Sequence, residues 1–131
     1  MQTRVFTAGI IRYEDKILIL KRRDIAEPSP GKWDSIGGSI KEEETAEECI
    51  LREGKEETGL DIKIIKKGKV FEFKNEHGNW VVIPFLCEAN STKVKVNPRE
   101  HMEYKWIHPS EIDNYDCVPD LKKDLKILGL I

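Results

Sequence analysis

The chain is short of several things, and each shortage excludes a class of protein. It has three cysteines, Cys49, Cys87 and Cys117, far apart and without a CxxC pair. That number and spacing exclude a disulfide-stapled scaffold and a zinc ribbon, and fit reduced thiols filling small gaps in the core of a cytoplasmic protein. No apolar run approaches the roughly 20 residues that span a bilayer. The opening MQTRVFTAGIIRYED lacks the charged, apolar and small-residue zones of a signal peptide. A cytoplasmic location and no membrane partner are therefore expected. Positive charge is not in excess either: 22 Lys and Arg stand against 24 Asp and Glu, for a net charge of −2. No basic field draws the chain to a nucleic-acid polymer, and no basic stretch is interleaved with aromatics. Repeats, low-complexity tracts and linkers are also missing, so the 131 residues are expected to form one domain over 1–131.

What is present reads as strands around one strong helix. TRVFTAGIIRY is β-branched and apolar, and an EDK turn leads to a hairpin partner, ILILKRR. DIAEPSPGKW is a Pro- and Gly-rich loop, and WDSIGGSI a brief strand ending in a tight turn. Thr45–Thr58 is the clearest helix, closed by Gly59 in the C′ position. LDIKIIKKGKVFEF and NWVVIPFLCEA read as strands around a NEHGN turn that leaves His77 exposed. The lysines of the first of these solvate an exposed edge. EYKWIH is a further strand, and PSEIDNY and PDLKKDLKILGLI are helical, the latter capped by Pro119 or Asp120. This order predicts an α+β layout with a mixed or mostly antiparallel sheet.

The helix carries acids where its core face should be. At about 100° per residue, with Ala46 at zero, Cys49 and Ile50 form an apolar stripe at about 300° and 40°. Glu53 and Glu57 fall in that stripe at about 340° and 20°, with Glu56 and Arg52 at its edge. The i, i+3, i+4 spacing gathers three carboxylates over one turn, where they repel one another and are expensive to bury unpaired. A cation resolves both problems, and an all-oxygen set favours Mg²⁺ or Mn²⁺ over zinc. The plainer alternative is a solvated face with Arg52 and Lys55 pairing the acids. Gly37–Gly38, just before the helix, weighs against it, because a glycine turn lets the backbone approach a ligand closely.

These residues carry a family resemblance. Gly38, Glu44, Arg52, Glu53, Glu56, Glu57, Gly59 and Leu60 stand in the spacing G-x5-E-x7-R-E-U-x-E-E-x-G-U, where U is aliphatic, and so resemble the box of the Nudix hydrolases. The preceding strand pair, the PGKWDSIGG lead-in and the later EHMEYKWIHPSEI extend the likeness along nearly the whole chain. The resemblance implies an α/β/α sandwich with a mixed, largely antiparallel sheet and one long catalytic helix. It implies a Mg²⁺-dependent pyrophosphohydrolase, with Mn²⁺ a possible substitute, acting on a nucleoside diphosphate linked to another moiety. A (d)NTP yielding (d)NMP and pyrophosphate leads, ahead of dinucleoside polyphosphates, ADP-ribose and a non-catalytic nucleotide-binding module. The partner is then a small nucleotide, and the protein a monomer or homodimer.

By the family pattern Glu53, Glu56 and Glu57 are the metal ligands, joined by the Gly38 carbonyl, while Arg52 and Glu44 orient the helix and its acids. The base is one box glutamate, most often at the Glu53 position, or a glutamate outside the box. For the latter, Glu100 ranks before Glu103, each also readable as a surface or loop-capping acid. Arg22 and Arg23, with Lys21, end the second strand and either meet substrate phosphates, beside Gly37 and Gly38, or are simply solvated. His101 reads as a plain loop residue, Trp33 and Trp106 as packing residues, and Phe71, Phe73 and Phe85 as core or pocket lining. Two positions depart from the pattern. Ile36 stands where proline is frequent, which predicts a less rigid loop. Gly54 stands where an aliphatic residue is expected, so Gly54→Ala should raise thermal stability if the site tolerates a methyl.

Overall fold

A computed structural model describes residues 3–24, 29–76 and 78–131, and only the backbone of Phe73 and Asn75. The expected exposure of His77, the role of Phe73 and the 25–28 part of the loop lie outside the described residues. The strands are β1 (Thr3–Tyr13), β2 (Lys16–Arg22), β3 (Trp33–Asp34), β4 (Ile36–Ser39), β5 (Ile62–Lys67), β6 (Phe71–Asn75), β7 (Gly78–Ala89) and β8 (His101–Ile107). The helices are α1 (Ala46–Thr58) and α2 (Pro119–Ile127), with a 3-10 turn at Pro109–Asn114.

The sheet is mixed, as the strand pattern implied, and it is open. Its path runs β3-β2-β1-β7-β5, with β8 added to β2, β4 to β1 and β6 to β7. Among the described strands β1 and β7 run parallel, from Thr3↔Asn79 to Arg12↔Glu88, and the other ladders are antiparallel. The apolar runs in β1 and β2 are continuous because both faces of the sheet are covered. Ile10, Ile17, Ile19 and Leu86 pack under Leu121 and Leu125 of α2 and under Leu128, which follows it. Their neighbours Ile11, Leu18, Leu20, Phe85 and Cys87 pack on the other face with Ile50 of α1. Three layers result, with β1 in the middle.

β1 also opens the molecule where it matters. Its C-terminal end pairs with β2 at Arg12↔Ile17, whereas its N-terminal half pairs with β4 from Phe6↔Ser39 to Gly9↔Ile36. β2 and β4 therefore diverge along one edge of β1, and the glycines of β4 lie in the opening. Ile36 is 2% exposed and belongs to the core, so β4 is anchored by its side chain where proline would have stiffened the loop.

Three local readings need correction. The LDIKIIKKGKVFEF segment is two strands, both paired with β7, and they break opposite Pro84. Proline supplies no N–H to a ladder, and here Gly68 turns in and donates to the Pro84 carbonyl at 2.8 Å. The cap of α2 is Val118, with Pro119 in the first helical position, where its missing N–H leaves nothing unsatisfied. The PSEIDNY segment is a 3-10 turn, capped by His108.

A fourth correction concerns Gly54. It is buried, and a Cβ built there would lie 2.6 Å from Ile62 Cδ1 and 3.3 Å from Ile36 Cδ1. Overpacking of this kind typically costs 1–3 kcal/mol, against a propensity gain of about 1 kcal/mol. Gly54→Ala alone is therefore expected to lower thermal stability. In an Ile62→Val background, which removes Cδ1 and leaves Ile36 Cδ1 and the Cγ1 of residue 62 each 3.3 Å away, the cost of the same substitution is expected to fall by about 1 kcal/mol or more. Urea unfolding of the four proteins measures that coupling, and an equal effect of Gly54→Ala in both backgrounds would show that Ile62 is not the obstacle.

Candidate active site

The site starts from how α1 is held. Thr45 caps it by accepting from the Glu48 N–H at 3.0 Å, while Glu48 accepts from the Thr45 N–H at 2.9 Å, a capping box. Gly59 ends it at φ 73°, a left-handed conformation that favours glycine. Both ends are fixed, so the register of the acids along the helix is fixed as well.

Arg52 organises one half of the box. Its Nε donates to Glu44 at 2.7 Å, and its terminal nitrogens donate to Glu44 at 3.0 Å, Glu53 at 2.9 Å and Glu56 at 3.3 Å. These bonds hold the Glu44 carboxyl down at about 2, the Arg52 hydrogen bond being the main cause. The guanidinium is held above its already high range by Glu44 first. Glu44 thus ties the loop before α1 to the helix, and Arg52 fixes where the Glu53 carboxylate points. Gly38 packs directly against that carboxylate, in space a side chain would fill. The Gly38 carbonyl accepts from the Thr7 hydroxyl at 3.4 Å and lies 3.7 Å from the Cys49 sulfur.

Glu57 belongs to the other half. It is 4% exposed, and its Oε2 accepts from the Gly37 N–H at 3.2 Å. Burial, opposed by that hydrogen bond but reinforced by Glu53 and Glu100, pushes its carboxyl up to about 10. Among the described residues, Glu57, Glu100 and His101 form a group whose ligand atoms all lie within 4.8 Å of one another. Burial first, then Glu53 and Glu56, raises the Glu100 carboxyl. The glutamates of α1 therefore reach Glu100 electrostatically, while Glu53 and Glu56 are bonded to Arg52.

His101 is the residue that the sequence reading missed. It is no loop residue but the first of β8, opposite Arg22, and it is 4% exposed. Burial, then the Arg22 charge, pushes its imidazole down to about 4, so it is neutral near pH 7. Its Nδ1 is buried without a hydrogen-bond partner. The signal was available: His101 is the first residue of the strand-like segment HMEYKWI, and its alternation with Glu103 and Lys105 hid its burial.

Arg22 and Arg23 part company. Arg22 lines the cleft and donates to Asp34 at 3.4 Å. The Arg23 side chain does not line it; its backbone N–H donates to the Glu100 carbonyl at 3.2 Å and so helps place Glu100. Trp33 is core, edge-on to Tyr115 at 5.7 Å, whereas Trp80 lines the cleft. Trp106 packs partly buried beside Tyr13 and donates to the Thr92 carbonyl at 3.0 Å. The cleft has a volume of about 790 Å³, within the usual span of small-molecule sites. Gly37, Gly38, Glu57, Glu100, His101 and Arg22 lie along it.

Known proteins resemble the chain in sequence and in fold. The chain is 25% identical to a nucleoside triphosphatase, NudI, of Escherichia coli O17:K52:H18, over the full length of both. Among solved structures, a MutT protein from Methanosarcina mazei Go1 superposes with a TM-score of 0.79 at 27% identity, covering 93% of this chain and 88% of that one. An Ap4A hydrolase of C. elegans shares the fold, with a TM-score of 0.76 at 17% identity, over 96% of this chain and 95% of its own. The family model of the NUDIX domain matches residues 3–126, and the chain accordingly belongs to that family, as a hydrolase acting on phosphoric anhydride bonds.

Proposed function

We propose that this protein is a Mg²⁺-dependent pyrophosphohydrolase that converts a nucleoside or deoxynucleoside triphosphate to the monophosphate and pyrophosphate. The observation that carries the reading is the juxtaposition, in one cleft, of buried Glu57 with Glu100 and His101 beside the β4 glycines. The full-length likeness to a nucleoside triphosphatase supports the substrate class.

The residues fit a divalent cation on their own chemistry. Among the described residues Glu57 is buried beside other acids with the Gly37 N–H as its donor, and the His101 nitrogen facing the same group is neutral. Glu57, Glu53 and Glu56 of the box, with Glu100, would hold the metal. Mg²⁺ or Mn²⁺ suits a carboxylate set, and either supplies Lewis-acid stabilisation of phosphate oxygens and a more acidic bound water. The chain's own residues do the rest. Arg52 restrains Glu53 and Glu56 so that their oxygens do not wander. The Arg22 guanidinium, with its Nε unpartnered, offers charge to a phosphate oxygen. Glu100, its carboxyl raised by burial and by Glu53 and Glu56, is placed to take a proton from an attacking water.

A panel of (d)NTPs, dinucleoside polyphosphates, ADP-ribose and nucleotide sugars tests this, assayed with and without Mg²⁺ and with products identified by mass. The expected result is metal-dependent release of pyrophosphate and a monophosphate from a triphosphate. Exclusive cleavage of a dinucleoside polyphosphate or ADP-ribose would replace the substrate, and metal binding without any turnover would favour a binding module.

A further inference from the structure

An open sheet has outer strands, and an outer strand offers a row of N–H and C=O groups to another chain. Here β8 stands at one outer edge, paired with β2, while β5 and β6 share the other, paired with β7. The two ends differ in charge. β5 reads IKIIKK, with Lys63, Lys66 and Lys67 and no acid. A second β5 laid against it meets lysines and isoleucines, and like charges across strands are destabilising. β8 reads HMEYKWI, with an acid and a base two residues apart. Glu103 and Lys105 are exposed, and so are the large apolar side chains of Met102, at 41%, and Tyr104, at 39%. Among the described residues, no backbone group of 102–106 bonds to backbone outside the β2 ladder.

The order of these residues complements itself. When β8 runs antiparallel to a second β8 with Tyr104 opposite Tyr104, Glu103 of each copy faces Lys105 of the other. One register therefore makes two ion pairs. Met102 of each copy faces Trp106 of the other on the opposite side of the strand. Side chains directly opposite in an antiparallel pair share a face, with Cβ atoms about 4.5–5.5 Å apart. The faces agree with the fold. Lys105 Nζ lies over Trp33 and Tyr115, which belong with the α2-side core, at 5.9 and 5.4 Å from the ring centroids. Trp106 packs with the α1-side core. Glu103 stands opposite Lys21 of β2, yet among the described residues it has no ion pair within the chain. The helices keep clear of this edge, α1 packing on β1, β4 and β5, and α2 on β1.

We propose that the β8 edge is a self-association surface, on which two copies of this chain pair antiparallel about Tyr104 into one continuous sheet. Charge complementarity names the occupant. Any extended chain can supply the backbone bonds, but both ion pairs need a strand with a base and an acid in the reverse order, and a second β8 is such a strand. The two-fold axis passes between the two Tyr104 residues and is perpendicular to the sheet, so the contact is closed and stops at a dimer. Pairing along one strand buries less than a standard interface, so the dimer is a weak one, with Kd on the order of 10 µM. The strand that pairs is also the one that delivers His101 to the cleft.

Sedimentation velocity at low ionic strength, from about 1 to about 200 µM chain, is the test. The wild type is expected to pass from monomer to dimer over that range. Glu103→Lys sets lysine against lysine at both pairs, and Lys105→Glu sets acid against acid. Each variant alone is expected to raise the dissociation constant by about tenfold or more. Mixed in equal amounts, the two variants are complementary again at both pairs, and the mixture is expected to dimerise as the wild type does. A wild type that stays monomeric at about 200 µM would overturn the proposal. So would single variants that dimerise undiminished, as association through β6 with its Glu72 and Lys74 would allow, or a mixture no better than its components. Hydrogen exchange of the wild type gives a second readout that needs no variant. The amides of 102–106 that point away from β2 are expected to exchange more slowly at the high concentration, and unchanged exchange in a dimer would place the contact elsewhere and overturn the proposal.

Discussion

Glu57→Gln is expected to lower kcat by a factor on the order of 10³ while leaving the metal-free protein at least as stable as the wild type. The two effects come from the same geometry. Glu57 is almost fully buried, with Glu53 and Glu100 close enough to raise its carboxyl and with the Gly37 N–H as its hydrogen-bond donor. A glutamine carbonyl can keep that bond, fill the same volume and relieve the crowding of acids, so the fold loses nothing. What disappears is the charge that would hold a divalent cation at the bond to be cleaved. Removing a ligand from a metal that stabilises phosphoryl charge costs several kcal/mol of barrier, hence the thousandfold. Metal linkage supplies an independent readout. Millimolar Mg²⁺ should raise the melting temperature of the wild type, because a ligand of the native state stabilises it by mass action. The variant should lose most of that rise. Turnover within about tenfold of wild type, or an undiminished response to Mg²⁺, would take Glu57 out of the metal set.

How much of this was legible follows from where each signal lies. The box, the helix with its Thr45 and Gly59 ends, and the position of Glu57 on the inner stripe are local, and local spacing carries them. The two-faced burial of β1 and β2 was also readable, from their unbroken apolar runs. The break between β5 and β6 was not, because it is imposed by Pro84 on a partner strand well along the chain. His101 was passed over because Glu103 and Lys105, on the same face of the strand, are charged and exposed, and because its partner Arg22 stands about 80 residues before it. Gly54 looked like a weakness of the helix until Ile62 was seen to occupy the space. Asp124 is a different case, since the method applied to α1 would have found it. With Leu121 at zero on α2, Leu125 falls at about 40°, Leu128 at about 340° and Asp124 at about 300°, the angle at which Cys49 closes the stripe of α1. An acid at the edge of an apolar stripe was read as functional in one helix and was not weighed in the other, and the family box was the reason for the difference.

The same aspartate yields the second large effect, in stability. Burial, then the charges of Asp120 and Asp34, push the Asp124 carboxyl up to about 7 from the ordinary 3.8, with Lys123 pulling weakly the other way. For a carboxyl whose folded value is raised, the native state holds the proton more tightly than the unfolded chain does. Stability therefore falls as pH rises from about 4 to about 7, and the penalty is complete above that. The span from 3.8 to about 7 corresponds to as much as about 4 kcal/mol at alkaline pH. Asparagine removes the charge but keeps a buried amide to satisfy, so Asp124→Asn should recover about 2 kcal/mol at pH 8, or roughly 7 °C in melting temperature for a chain of this size. Below about pH 3 the gain should vanish, because there the wild-type carboxyl is protonated in both states. A gain independent of pH would mean that the variant improves packing and not charge, and a loss at pH 8 would mean that the carboxylate has a partner in the folded state. Should the gain appear as expected, the fold is carrying an acid that destabilises it near neutral pH. Residues kept at such a cost are characteristic of functional sites.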